Sequence, residues 1–107
     1  MAHDQALAER LRRKLADITH REVKMFGGLS FMVNDNLALS ASNQGDLLIR
    51  CDPDDVDDLL DKPHVRWAEM RGRRMSRGWL RIDSDGYASD HDLSHWVDVA
   101  VSHATRS

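Results

Sequence analysis

The chain is short of the residues that staple, cross or coat. It has one cysteine, Cys51, among 107 residues, so no internal disulfide can form, and that usage fits a reducing compartment. No apolar run approaches the ~20 residues that span a bilayer. The opening residues, Met1-Ala2-His3-Asp4-Gln5, contain no apolar signal core. The expected location is therefore the cytoplasm. Positive charge is not in excess either: the formal net charge is −3. Non-specific coating of nucleic acid draws its affinity from counterions released by many Lys and Arg, and this balance argues against it. Internal repeats, linkers and low-complexity tracts are missing, so residues 1–107 are read as one domain.

The residues present alternate between two periods. Leu7, Leu11, Leu15 and Ile18 recur at helical spacing within residues 4–18, with Asp4 as N-cap and Glu9, Arg10, Arg12, Arg13 and Lys14 largely outward. Val23 and Met25 then alternate with Glu22 and Lys24, as in a half-buried strand. Gly27-Gly28 marks a bend, a bulge or a close backbone approach. Leu29, Phe31 and Val33 share a strand face, Asn34-Asp35-Asn36 forms a turn, and Leu37, Leu39 and Ala41 return. A second turn at 42–45 leads to the alternation of Leu47, Ile49 and Cys51. Asp52-Pro53 opens a helix with Val56, Leu59 and Leu60 inward, and Pro63 stops it. Residues 66–70 and 79–82 read as two further strands around an Arg71-Gly72-Arg73 turn. Ser89 caps a last helix, with Asp92 at capping-box spacing and Leu93, Trp96, Val97, Ala100, Val101 and Ala104 as its stripe. The order is α, three or four β, α, two β, α. It predicts an α+β two-layer sandwich with an antiparallel sheet of five or six strands and helices on one face.

The block Lys24-Met25-Phe26-Gly27-Gly28-Leu29-Ser30-Phe31-Met32-Val33-Asn34 resembles the signature of the TfoX N-terminal domain family, the Sxy-like competence regulators. Asn36 to Leu39, Gly45 to Arg50, Met75 to Leu80 and the final helix resemble that family's later elements in order. The likeness covers roughly residues 10–104 and rests most on Met25, Phe26, Gly27, Gly28 and Phe31. It implies a fold similar to type III secretion chaperones and a connection to regulation of DNA-uptake genes. Full-length regulators of the family carry a second, C-terminal domain and act with the cyclic-AMP receptor protein; 107 residues are expected to hold the first domain alone. The resemblance brings no catalytic residues.

Six arginines, Arg66, Arg71, Arg73, Arg74, Arg77 and Arg81, crowd a stretch whose one acid is Glu69. Arg binds phosphate and carboxylate bidentately, and Trp67 and Trp79 lie among them. Two readings follow. One is a surface for a protein partner or, as the alternative, for nucleic acid. The other is a solvated hairpin with its Trp rings in the core and Arg stems over apolar surface. The acids from Asp52 to Asp61 lack calcium-loop spacing, as does Asp83-Ser84-Asp85-Gly86. They are read as helix capping and solvated charge, or as a surface that meets the Arg hairpin of a second copy. His91 and His95 lie at i, i+4 without the Glu of a zincin or a third ligand, so no metal is assigned. Cys51 is read as a buried apolar residue. No nucleophile elbow appears, and Glu9, Glu22 and Glu69 are scattered, so neither catalytic residues nor a cofactor are assigned. The central strands carry apolar residues on both faces, Met32 and Leu48 among them. Helices cover one face, so the other is expected to dock a protein partner or a second copy. The expected function is that of a non-catalytic regulatory or protein-interaction domain.

Overall fold

A computed structural model of the chain describes residues 5–25, 28–42, 45–70 and 72–106. Helix α1 (Gln5–Lys14) buries Leu7, Ala8 and Leu11 and ends on Arg12, Arg13 and Lys14, cations suited to the negative end of its dipole. It stops four residues short of the span predicted from periodicity. Leu15 and Ile18 nonetheless stay on the inner side, held by turns in which the Leu15 N–H donates to Leu11 O and the Ile18 N–H to Leu15 O.

Four strands follow as an antiparallel meander: β1 (His20–Met25), β2 (Gly28–Val33), β3 (Asn36–Ala41) and β4 (Leu47–Arg50). Asn34 and Asp35 both adopt left-handed angles, φ 53° and 62°, and make the two-residue turn whose twist suits a hairpin. Phe31 pairs with Leu39 but Met32 pairs with Leu37, which leaves the fully buried Ala38 as the extra residue of a bulge. Gly28 is explained by close approach. A Cβ there would drive into the Ala41 carbonyl of the neighbouring strand. Gly27 lies outside the described residues.

Asp52 Oδ1 accepts the Asp54 N–H at 2.9 Å, capping a 3-10 turn (Pro53–Asp55) that runs into α2 (Val56–Leu60). Val56 and Leu59 are its buried residues. The chain then forms β5 (Val65–Trp67), β6 (Glu69–Met70), β7 (Arg73–Arg74) and β8 (Trp79–Ile82). These are the arms of one long hairpin with an interruption. The Ala68 N–H donates to Trp79 O while Ala68 O accepts the Met75 N–H, so Ser76 to Gly78 loop out of the ladder. Gly78 takes φ 111°, and a Cβ on it would stand 2.8 Å from Cys51 O. The tip, β6 with β7, is a separate two-stranded ribbon. The main sheet has six strands in the order β1-β2-β3-β4-β8-β5.

Helix α3 (Asp90–Arg106) starts where Ser89 Oγ accepts the Asp92 N–H at 3.0 Å, the cap read from the sequence. Leu93, Trp96, Val97, Ala100 and Ala104 of α3 join buried residues of α1 and α2 in a single core against Leu29, Phe31, Leu39, Ile49, Leu80 and Ile82. All three helices thus cover one face of the sheet, the α+β two-layer arrangement. Side chains lock the layers. Arg12 of α1 donates to both carboxylate oxygens of Glu22 on β1, at 2.8 and 3.0 Å, and Lys14 pairs with Asp90 of α3 at 2.7 Å. Trp96 Nε1 donates to Gly86 O, and the Tyr87 hydroxyl to Gly45 O.

Candidate interaction surface

Register places one continuous row of residues on the face without helices. Val23, Ser30, Ser40, Leu48, Arg81 and Arg66 are successive cross-strand partners from β1 to β5. Beside them Arg21 pairs with Met32, and Met32 with Leu37. This face is mixed, not uniformly greasy. Its centre is a buried hydroxyl pair: Ser30 Oγ donates to Ser40 Oγ and Ser40 Oγ to Leu29 O, both at 3.1 Å. Leu48 is 8% exposed yet stands apart from the helix-side core. Val23, Met32 and Leu37 are half-buried, so an apolar end remains accessible at β1–β3.

The opposite end of the same face is cationic. Arg66 and Arg81 sit directly across from each other on β5 and β8, an arrangement of like charges that costs stability unless something offsets it. Arg81 has an offset. Its Nε lies 3.6 Å from Asp46 Oδ2 and its guanidinium donates to Glu69 O at 3.2 Å. Arg66 is exposed, and among the described residues no ion pair of its own is seen.

The other arginines of the sequence cluster fall elsewhere. Trp67 pairs with Leu80, which puts it on the helix side, where it packs at the core margin and donates from Nε1 to Met75 O at 2.8 Å. The guanidiniums of Arg74 and Arg77 stand 5.1 and 5.8 Å from its ring centre. Arg77 also donates to Pro53 O and pairs with Asp57 at 3.1 Å. Arg73 and Arg74 occupy the exposed ribbon, and Arg71 lies outside the described residues. Trp79 is on the helix-free face under Arg50, at 5.7 Å. Sequence proximity therefore groups arginines that the structure separates, Arg66 and Arg81 on the helix-free face and Arg74 and Arg77 over Trp67. The alternation of Arg66 with Trp67 held that signal.

The remaining candidates are structural or exposed. Phe31 is a fully buried core residue, and Met25 pairs through its backbone with Gly28; Phe26 lies outside the described residues. Cys51 is buried, and desolvation, with Asp55 and Asp52 nearby, pushes its thiol up to about 11, so it is a poor nucleophile. His91 and His95 are both exposed, and His95 lies edge-on to Trp96. The sequence reading missed His64. Its φ is 69°, its Nδ1 lies 3.1 Å from Asp83 Oδ1, and its donor atom gathers with those of Asp83 and Asp85 within 4.8 Å. Asp83 also caps the 3-10 turn Ser84–Gly86 by accepting the Gly86 N–H, which accounts for the position of that carboxylate. Among the described residues no helix is long and apolar enough to cross a membrane.

The family model of the TfoX N-terminal domain covers residues 9–104. No curated protein matches the chain.

Proposed function

Because the chain belongs to the TfoX N-terminal domain family, we propose that it is a non-catalytic regulatory domain that works in the cytoplasm by docking a protein partner on the helix-free face of its sheet. The observation that carries this reading is the row of residues across that face, accessible and apolar near Met32 and Leu37, cationic at Arg66. The partner it fits presents an apolar segment flanked by acidic residues, for which Arg66 supplies a bidentate donor. A nucleic-acid track is the weaker alternative. Arg77 and Arg81 already pair with Asp57 and Asp46, and Arg74 lies over Trp67, on the other side of the sheet from Arg66.

The test is affinity capture from nuclease-treated native lysate with mass spectrometry, comparing the parent chain with Met32→Lys/Leu37→Lys and with Arg66→Glu. The reading expects a protein retained by the parent, lost with the double variant and weakened with Arg66→Glu. Equal retention by all three proteins, or retention only before nuclease treatment, would discard it.

A further inference from the structure

The 3-10 turn and α2 together present an acidic segment to solvent. Asp54, Asp55, Asp57, Asp58 and Asp61 are all exposed, and among the described residues only Asp57 has an ion pair. The helix dipole accounts for acids at the start of such a segment, but Asp61 is the C-cap of α2, where the dipole disfavours them. Immediately beside it stands the opposite charge. Arg77 touches both regions, donating to Pro53 O and pairing with Asp57 while lying over Trp67, and Arg74 lies over the same ring. Beyond Arg74 the ribbon exposes Arg73.

An acidic patch adjoining a basic one is self-complementary about a two-fold axis passing between them. Rotation sets the ribbon of one copy against α2 of the other, and the reverse contact follows by symmetry. We infer that the chain forms a salt-sensitive homodimer in which Arg74, on the Trp67 side of each ribbon and with the charge of Arg73 next to it, faces Asp58 and Asp61 of its partner, with Trp67 at the margin of the contact. This goes beyond the interaction reading above and uses a different surface, on the β5 edge and helix side. Exposed pairs of this kind are individually weak and screened, so the assembly should dissolve as the screening length shortens.

Sedimentation velocity tests this at about 100 µM protein, comparing ~20 mM with ~500 mM salt, between which the screening length falls from above ~10 Å to well below it. The parent is expected to be dimeric at low salt and monomeric at high salt. Arg73→Glu/Arg74→Glu and Asp58→Lys/Asp61→Lys are each expected to be monomeric at both. Their equimolar mixture is expected to regain the dimer at low salt, because reversing opposite partners restores both symmetric contacts. That recovery also shows that both variants fold. A parent that stays monomeric at low salt, a dimer that survives high salt or either reversal, or a mixture that stays monomeric overturns the dimer. None of these substitutions touches Met32, Leu37 or Arg66. Capture retained by a monomeric parent therefore sinks the dimer alone, and loss of capture from a dimeric parent on Met32→Lys/Leu37→Lys leaves it standing.

Discussion

The two faces of the six-stranded sheet are built from the same strands and obey different rules. On the helix side, Leu29, Phe31, Leu39, Ile49, Leu80 and Ile82 meet three helices and are at most 4% exposed. One residue along each strand, the row Ser30, Ser40, Leu48, Arg81 and Arg66 grades from hydroxyl to aliphatic to guanidinium. Area removed from water specifies the first face, and side-chain size and hydrogen bonding specify the second. A strand can thus carry apolar residues on both sides without two equivalent cores. The first face holds the fold, and the second is left chemically varied.

The sharpest break between the faces is a pair of truncations. Phe31→Ala should cost about 3–5 kcal/mol, as for a large ring lost from a closed core. Ser40→Ala, equally buried but opposite, should cost about 1–2 kcal/mol, through Leu29 O and Ser30 Oγ left short of a partner. Urea denaturation of both variants checks the ratio; equal costs would show that the helix-free face is as much a core as the other. Between them falls Gly28→Ala, at about 1–3 kcal/mol, because the added methyl meets backbone and not a yielding side chain.

Smaller effects refine the contrast at its margins. His95 is exposed but packs against Trp96, and it is held below its ordinary value of 6.5, first by desolvation and then by Lys62. The unfolded chain therefore binds this proton first, and stability should fall as pH drops below about 6.5 until the folded residue also protonates. His95→Asn should flatten that part of a melting-temperature profile slightly, and an unchanged slope would assign it to another group. Asp35→Gly suits the left-handed second position of the β2–β3 turn and should gain a few tenths of a kcal/mol. Cys51 should resist a thiol reagent at pH 8 in native buffer and react at once in denaturant; prompt native labelling would mean that β4 opens locally.

Much of this was readable in the residues. Alternation marked the strands, Asp52 and Ser89 marked their helices, and the Met25-to-Phe31 block marked the family. Helix α1 was read too long because Leu15 and Ile18 keep the helical phase while sitting in turns. The placement of β8 between β4 and β5 had no local trace, since pairing between remote strands leaves no periodic signal. For the same reason the arginines looked like one cluster. Neighbours in sequence point to opposite faces of a strand, and only the register showed that Arg66 belongs beside Arg81 and Arg74 over Trp67. His64 and Asp83, 19 positions apart, met only through the β5–β8 pairing.

The strand order also carries a kinetic consequence. From β1 to β4 each strand follows its neighbour after a short loop, so zippering can proceed hairpin by hairpin. The seam of β4 with β8 closes a loop of roughly thirty residues and must wait for the second hairpin to exist. Pulsed hydrogen exchange during refolding should protect the amides of Leu39 and Leu48, which face β2 and β3, before those of Leu80 and Ile82, which face β4. Simultaneous protection would mean that the sheet condenses as one unit.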